Sequence, residues 1–316
     1  MFILFFCVVP VKLTFFITNF IFFLPILTPL LNSKNTGGGI FLLGSKVEIR
    51  GRNSNSTDPG KVLIARNEAK VSAAMLISAF QIGPNSIGGN GGGIMIRGDH
   101  RGTTGGIVVQ KEGHLNVMEN KAHHSAGGLG LYSHLWNPII PSDRRLLDIP
   151  TALNISGTAV ISNNSASFKG GGMMVFMTRV KTSCDAPKNP LVIISGDEAT
   201  LNVSQNEAAQ GGGMSLIISG DPPRQAFSSA AQESPCASLN RTKDKTNLNE
   251  IRVSKGAVFS VHHNTAYQMS TLIEKIMGPT LLYLMGANGD LIANYDREII
   301  GGALMLDHTQ LNINGP

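Results

Sequence analysis

The sequence predicts an all-β fold: a parallel β-helix, or solenoid, with loop insertions, preceded by an N-terminal hydrophobic helix. Three observations predict it. An Ile/Val-x-x-Asn-x-Ala pattern recurs five times, and a Gly-Gly cluster leading into an apolar run follows each copy. Short segments of strand-forming residues, bounded by Gly and Asn, fill the spaces between. Self-similarity of this kind marks architectures in which each unit buries its apolar face only by stacking on its neighbour.

The chain divides into residues 1–31 and a repeat domain over 32–316. The first segment carries one charge, Lys12, and Leu13 to Leu31 is an uncharged run of nineteen residues. Such a run is long enough to cross a bilayer as a helix. A cleaved secretory signal and an uncleaved signal anchor both remain open. The boundary Thr28-Pro29-Leu30-Leu31-Asn32-Ser33 lacks a small-residue cleavage pattern. Pro25 and Pro29 suit the end of a signal better than the middle of a helix. Lys34, Lys46, Arg50 and Arg52 follow, which by charge asymmetry weighs against export of the rest. Taken together, these features lead us to expect an extracellular or cell-surface location, with membrane contact through this segment if it is uncleaved.

The repeats come next. The motif asparagines are Asn67, Asn120, Asn164, Asn206 and Asn264, each followed two residues later by Ala69, Ala122, Ala166, Ala208 or Ala266. The glycine clusters start at Gly91, Gly127, Gly170, Gly211 and Gly301, and an extra copy, Gly37-Gly38-Gly39, opens the array. Asn tolerates the left-handed conformation at a bend, and stacked amides hydrogen-bond from coil to coil. Ala is small enough to point into a narrow interior, and glycine allows coils to approach closely. Two strand textures appear. Ile40–Leu43, Met173–Phe176 and Ser215–Ile218 are continuous apolar runs, whereas Ala199–Ser204 and Ala257–His262 alternate. The long unit is expected to hold either two coils or one coil with a loop. Insertions are read at 70–88, 133–150, 220–248 and 267–300, the last containing helix-compatible spacing from Met269 that breaks at Gly278-Pro279. Gly301–Pro316 starts another repeat without a cap, so truncation at the C-terminus is expected.

Composition excludes several classes. Gly occupies 36 of 316 positions without a Gly-X-Y period, so collagen is out, and 42% hydrophobic residues exclude wholesale disorder. One Trp, four Tyr and thinly spread Lys and Arg offer neither a stacking platform nor a phosphate-binding stripe, so no nucleic-acid partner is expected. Apart from Cys7, the cysteines are Cys184 and Cys236, a candidate disulfide if the chain is exported, with two free thiols as the alternative. Asn55, Asn154, Asn163, Asn202 and Asn240 head Asn-x-Ser/Thr sequons and are candidate glycosylation sites.

The pairing of Asn-x-Ala with Gly-Gly-Ala/Gly plus Ile, Met or Leu resembles the repeats of chlamydial polymorphic outer-membrane proteins. Those carry Phe-x-x-Asn and Gly-Gly-Ala-Ile/Leu/Val motifs. Here Ile or Val stands for the Phe, and only Gly301-Gly302-Ala303-Leu304 keeps the stricter glycine form. The resemblance spans Gly37 to the C-terminus without the insertions. It implies a right-handed β-helix of the pectin-lyase-like kind and a surface adhesin role.

Catalytic chemistry is not expected. Gly98-Asp99-His100-Arg101-Gly102 offers one carboxylate, where acid/base hydrolysis of a glycoside uses two. His123-His124 and His262-His263 are adjacent pairs, expected to be exposed and to point to opposite faces of a strand, which disfavours chelation. The glycine clusters lack the acidic residue of calcium-binding repeats and the Gly-Lys-Ser/Thr of a phosphate loop. The expectation is therefore a non-enzymatic adhesion or binding scaffold without cofactor or metal, its partner an unknown surface protein or glycan. The alternatives are a diverged polysaccharide-active enzyme and a structural fragment of a larger surface repeat protein.

Overall fold

The computed structural model describes residues 37–43, 46–51, 60–70, 89–97, 106–133, 152–178, 192–219, 249–278, 301–307 and 309–313. Strands follow one another in rungs of four. The first rung is β1 (Ile40–Leu43), β2 (Lys46–Ile49), β3 (Lys61–Ala65) and β4 (Glu68–Ala69). The second is β5 (Ile94–Arg97), β6 (Gly106–Val109), β7 (His114–Met118) and β8 (Lys121–Ala122). The third is β9 (Leu129–Ser133), β10 (Ala152–Ile155), β11 (Thr158–Ser162) and β12 (Ser165–Ala166). The fourth is β13 (Met173–Thr178), β14 (Val192–Ile194), β15 (Thr200–Ser204) and β16 (Glu207–Ala208). The fifth is β17 (Met214–Ser219), β18 (Asn249–Val253), β19 (Val258–His262) and β20 (Thr265–Ala266), and β21 (Leu304–Asp307) and β22 (Thr309–Ile313) begin a sixth.

Each strand pairs with its counterpart one rung away, giving four parallel sheets ordered β1-β5-β9-β13-β17-β21, β2-β6-β10-β14-β18-β22, β3-β7-β11-β15-β19 and β4-β8-β12-β16-β20. The chain is thus all-β and parallel, and the long repeat unit is one four-strand rung with loops. Register keeps like beside like: Val117, Ile161 and Val203 align in the third sheet, and Ala122 and Ala166 in the fourth.

The two strand textures have separate causes. In the third sheet Leu115 and Val117 are buried while His114, Asn116 and Met118 are half-buried, so one face meets the core and the sequence alternates. In the first sheet Ile94, Ile96, Leu129, Leu131, Met173 and Val175 enter the main core. The opposite face carries Met95, Tyr132, Met174, Phe176 and Ile217, which form a second buried cluster with Ala126. Strands covered on both faces read as unbroken apolar runs.

Within the last insertion, helix α1 (Met269–Met277) buries Met269, Leu272, Ile273 and Ile276, the i, i+3, i+4, i+7 stripe of an amphipathic helix. It lies against β12, and the Lys275 ammonium meets the Glu207 carboxylate of β16 at 2.7 Å. It ends at Gly278, whose φ is 91° and whose N–H bonds the Glu274 carbonyl. No helix among the described residues is long and apolar enough to cross a membrane. The expected N-terminal helix, Cys184, Cys236, Asn55, Asn240 and Gly98–Gly102 lie outside the described residues.

Candidate functional site: the asparagine ladder and the His124 cluster

The five motif asparagines stand in one column. Each Nδ2 donates to the Oδ1 of the next: Asn67 to Asn120 at 3.0 Å, Asn120 to Asn164 at 2.9 Å, Asn164 to Asn206 at 3.0 Å and Asn206 to Asn264 at 3.0 Å. The same oxygens accept the backbone N–H of the preceding asparagine at 2.9–3.0 Å. The second Nδ2 proton of Asn120, Asn164, Asn206 and Asn264 reaches the carbonyls of Ile64, Val117, Ile161 and Val203. Those carbonyls belong to the first residue of the motif one rung back. The Ile/Val-x-x-Asn spacing is therefore a contact between rungs.

The glycines fit the ladder. A Cβ on Gly93, Gly128, Gly172 or Gly213 would fall 2.7–2.9 Å from the amide nitrogen of Asn120, Asn164, Asn206 or Asn264. It would also fall 2.4–2.7 Å from a backbone oxygen of the next rung. The close approach leaves no room for a side chain.

Several expectations change. The left-handed residues are not the motif asparagines but those just before them: Arg66, Glu119, Asn163, Gln205 and His263, with φ of 52–59°. The asparagine carboxamide itself is occupied in bonding between rungs. In the third glycine cluster Ala126, with φ 62°, takes the left-handed position that Gly37, Gly91, Gly170, Gly211 and Gly301 hold elsewhere. Gly127 is thus the counterpart of Gly92, not of Gly91, as the pairing of Ile94 with Leu129 requires. His123 and His124 are buried rather than exposed.

His123 Nε2 meets Glu68 Oε1 at 2.9 Å. Burial raises the Glu68 carboxyl, but the hydrogen bonds from His123 and Lys70 outweigh it and hold the group below the usual carboxylate range. His124 Nδ1 lies 3.0 Å from Asn90 Oδ1 and 3.0 Å from Ser125 Oγ. The Ser125 N–H donates to the same Asn90 oxygen, so that atom is an acceptor and Nδ1 carries the imidazole proton. Tyr132 donates to Asn90 Oδ1 at 3.4 Å, and the Phe168 ring meets His124 edge-on at 5.4 Å, with Lys169 Nζ above that ring. Full burial, reinforced by the Lys169 charge, pushes His124 down to about 3. It is a neutral, structural imidazole at ordinary pH.

Sequence reasoning missed Asn90, Tyr132 and Lys169. A signal existed: Asn90, Ser125 and Lys169 each precede a left-handed turn residue, and Gln210 completes that column. Reading it requires the corrected register of the third cluster.

Of the described sequons, Asn163 is exposed at the bend just after β11. Asn154 on β10 and Asn202 on β15 are half-buried, and the Oδ1 of each is buried without a hydrogen bond. Three further described carboxylates pair with cations: Glu48 with Arg50, Glu119 with Arg66 and Glu207 with Lys275. Among the described residues no three His, Cys, Asp or Glu side chains gather as a metal site. His262 and His263 depart from the expected opposite facing. The bend at His263 brings their Nδ1 atoms to 2.8 Å.

Set against family models, curated proteins and solved structures, the chain matches none of them.

Proposed function

We propose that the chain is a right-handed parallel β-helix of polymorphic outer-membrane protein-like repeats, acting as a non-enzymatic adhesion or binding scaffold outside the cell or at its surface. The observation that carries this reading is the asparagine ladder, continuous from Asn67 to Asn264 and seated on glycines. Such a spine makes a rigid, elongated body suited to presenting lateral faces. The outward rows of the third sheet include Thr158 and Thr200 beside Asn116, Asn202 and Ser260. With Lys61, His114, Leu63, Val160 and Val258 in the same rows, they make a partly exposed surface of mixed polar and apolar character, of the kind that meets glycans or protein faces.

Expression of the full chain in a secreting cell, with N-terminal sequencing and glycan analysis of the product, tests the compartment. Glycan arrays and intact cell surfaces then test binding. The reading expects export and selective retention on one surface. Retention in the cytosol as an unmodified chain would overturn it, as would depolymerisation of a polysaccharide by the purified protein.

A further inference from the structure

We propose that His262 and His263 form a two-imidazole chelate for a divalent copper or nickel ion. The pair differs from other neighbours on a strand because His262 closes β19 and His263 is the left-handed residue that follows, with φ 52°. The bend swings the second ring back beside the first. Nδ1 faces Nδ1 at 2.8 Å, with ring centroids 4.8 Å apart and planes at 84°.

The resting separation, a hydrogen-bond distance, already matches the bite of a right-angle chelate. Two metal–nitrogen bonds of about 2.0 Å meeting at a right angle place the nitrogens about 2.8 Å apart, whereas a tetrahedral angle requires about 3.3 Å. Square-planar or tetragonal ions, copper(II) above all and then nickel(II), therefore fit the pair better than zinc. Both rings are exposed, and β19 is the outermost described strand of its sheet, so solvent has access to the remaining coordination positions. The rung behind presents Ser204 and Gln205, which are neutral.

Proton balance is simple. In the neutral pair one ring carries a proton on Nδ1 and shares it with the other nitrogen. On binding, that proton moves through solvent to Nε2 of the same ring, both Nδ1 lone pairs turn to the ion, and no net proton is lost.

The test is titration of the full chain with copper(II) alone, then nickel(II) and zinc(II) alone, followed by calorimetry and copper electron paramagnetic resonance. His263→Asn suits the left-handed backbone, because Asn163 holds the equivalent position, and His262→Ser matches Ser162 and Ser204 in its column. His114→Thr, matching Thr158 and Thr200, is the control. The expected result is one copper site with two-nitrogen coordination, bound more tightly than zinc. Each of the two site variants should weaken it roughly ten- to a hundredfold, at least the loss that removing an outer-shell partner produces. The control should leave it unchanged. Affinity in His263→Asn within about twofold of the parent, with circular dichroism unchanged, would overturn the proposal, as would single-nitrogen coordination or zinc bound as tightly as copper.

Discussion

Asn164→Ala probes the ladder where it is most enclosed. The carboxamide makes four hydrogen bonds: Oδ1 accepts from the N–H and Nδ2 of Asn120 at 3.0 and 2.9 Å, and Nδ2 donates to Val117 O at 2.9 Å and Asn206 Oδ1 at 3.0 Å. After truncation the Asn120 side chain keeps its bond to Ile64 O, and Asn206 Oδ1 keeps the Asn164 N–H. The Asn120 N–H is orphaned in the interior. That group alone costs about 1–3 kcal/mol, and the three other lost bonds contribute about 1 kcal/mol apiece, so a loss of about 4–6 kcal/mol is expected. Asn67→Ala is the matched comparison. Its Nδ2 donates to Ala65 O and Asn120 Oδ1, but its backbone N–H reaches Asn120 Oδ1 without help from its own side chain. No buried donor is stranded, and the expected loss is about 1–2 kcal/mol. Equilibrium urea unfolding of each full-length variant, followed by far-ultraviolet circular dichroism, gives the two values. Losses for Asn164→Ala and Asn67→Ala within about 0.5 kcal/mol of each other would refute the claim that satisfied buried amides hold the rungs together.

Gly172→Ala places a Cβ 2.6 Å from Gly213 O and 2.7 Å from Asn206 Nδ2, so it should destabilise by about 1–3 kcal/mol in the same urea assay. Asn202→Val removes a buried, unbonded oxygen and installs the residue that Val160 already supplies in that row, so it should stabilise by about 1 kcal/mol. His124 gives the pH dependence. Its folded value lies below the ordinary 6.5, at about 3, so the unfolded chain takes up the proton first. Stability from this group is complete above pH 6.5 and falls by about 1.4 kcal/mol per unit, or ~5 kcal/mol in all, as pH drops to about 3. His124→Gln should flatten the urea-midpoint profile across that window, and parallel profiles for parent and variant would contradict the assignment.

The sequence by itself determined the repeat and much of its grammar. Continuous apolar runs marked strands buried on both faces, as in β13, and alternation marked strands with one outward face, as in β15. These features are local, and a period of two along the chain reports directly on burial. The break at Gly278 was legible for the same reason, since a helix end is written in the residues that form it. Tertiary structure alone decided which atoms the motif residues touch. The asparagine bonds join residues 42–58 positions apart, and only the stacking register selects their partners. That register moved the left-handed bend to the residue before each asparagine and set Ala126 in a glycine's place. It also buried His124 against Asn90 while leaving His262 and His263 exposed. The two histidine pairs are the same dipeptide, but one follows the short fourth-sheet strand β8 and the other straddles the bend after β19. A side chain's environment depends on its place in the stack, and a dipeptide carries no record of that place.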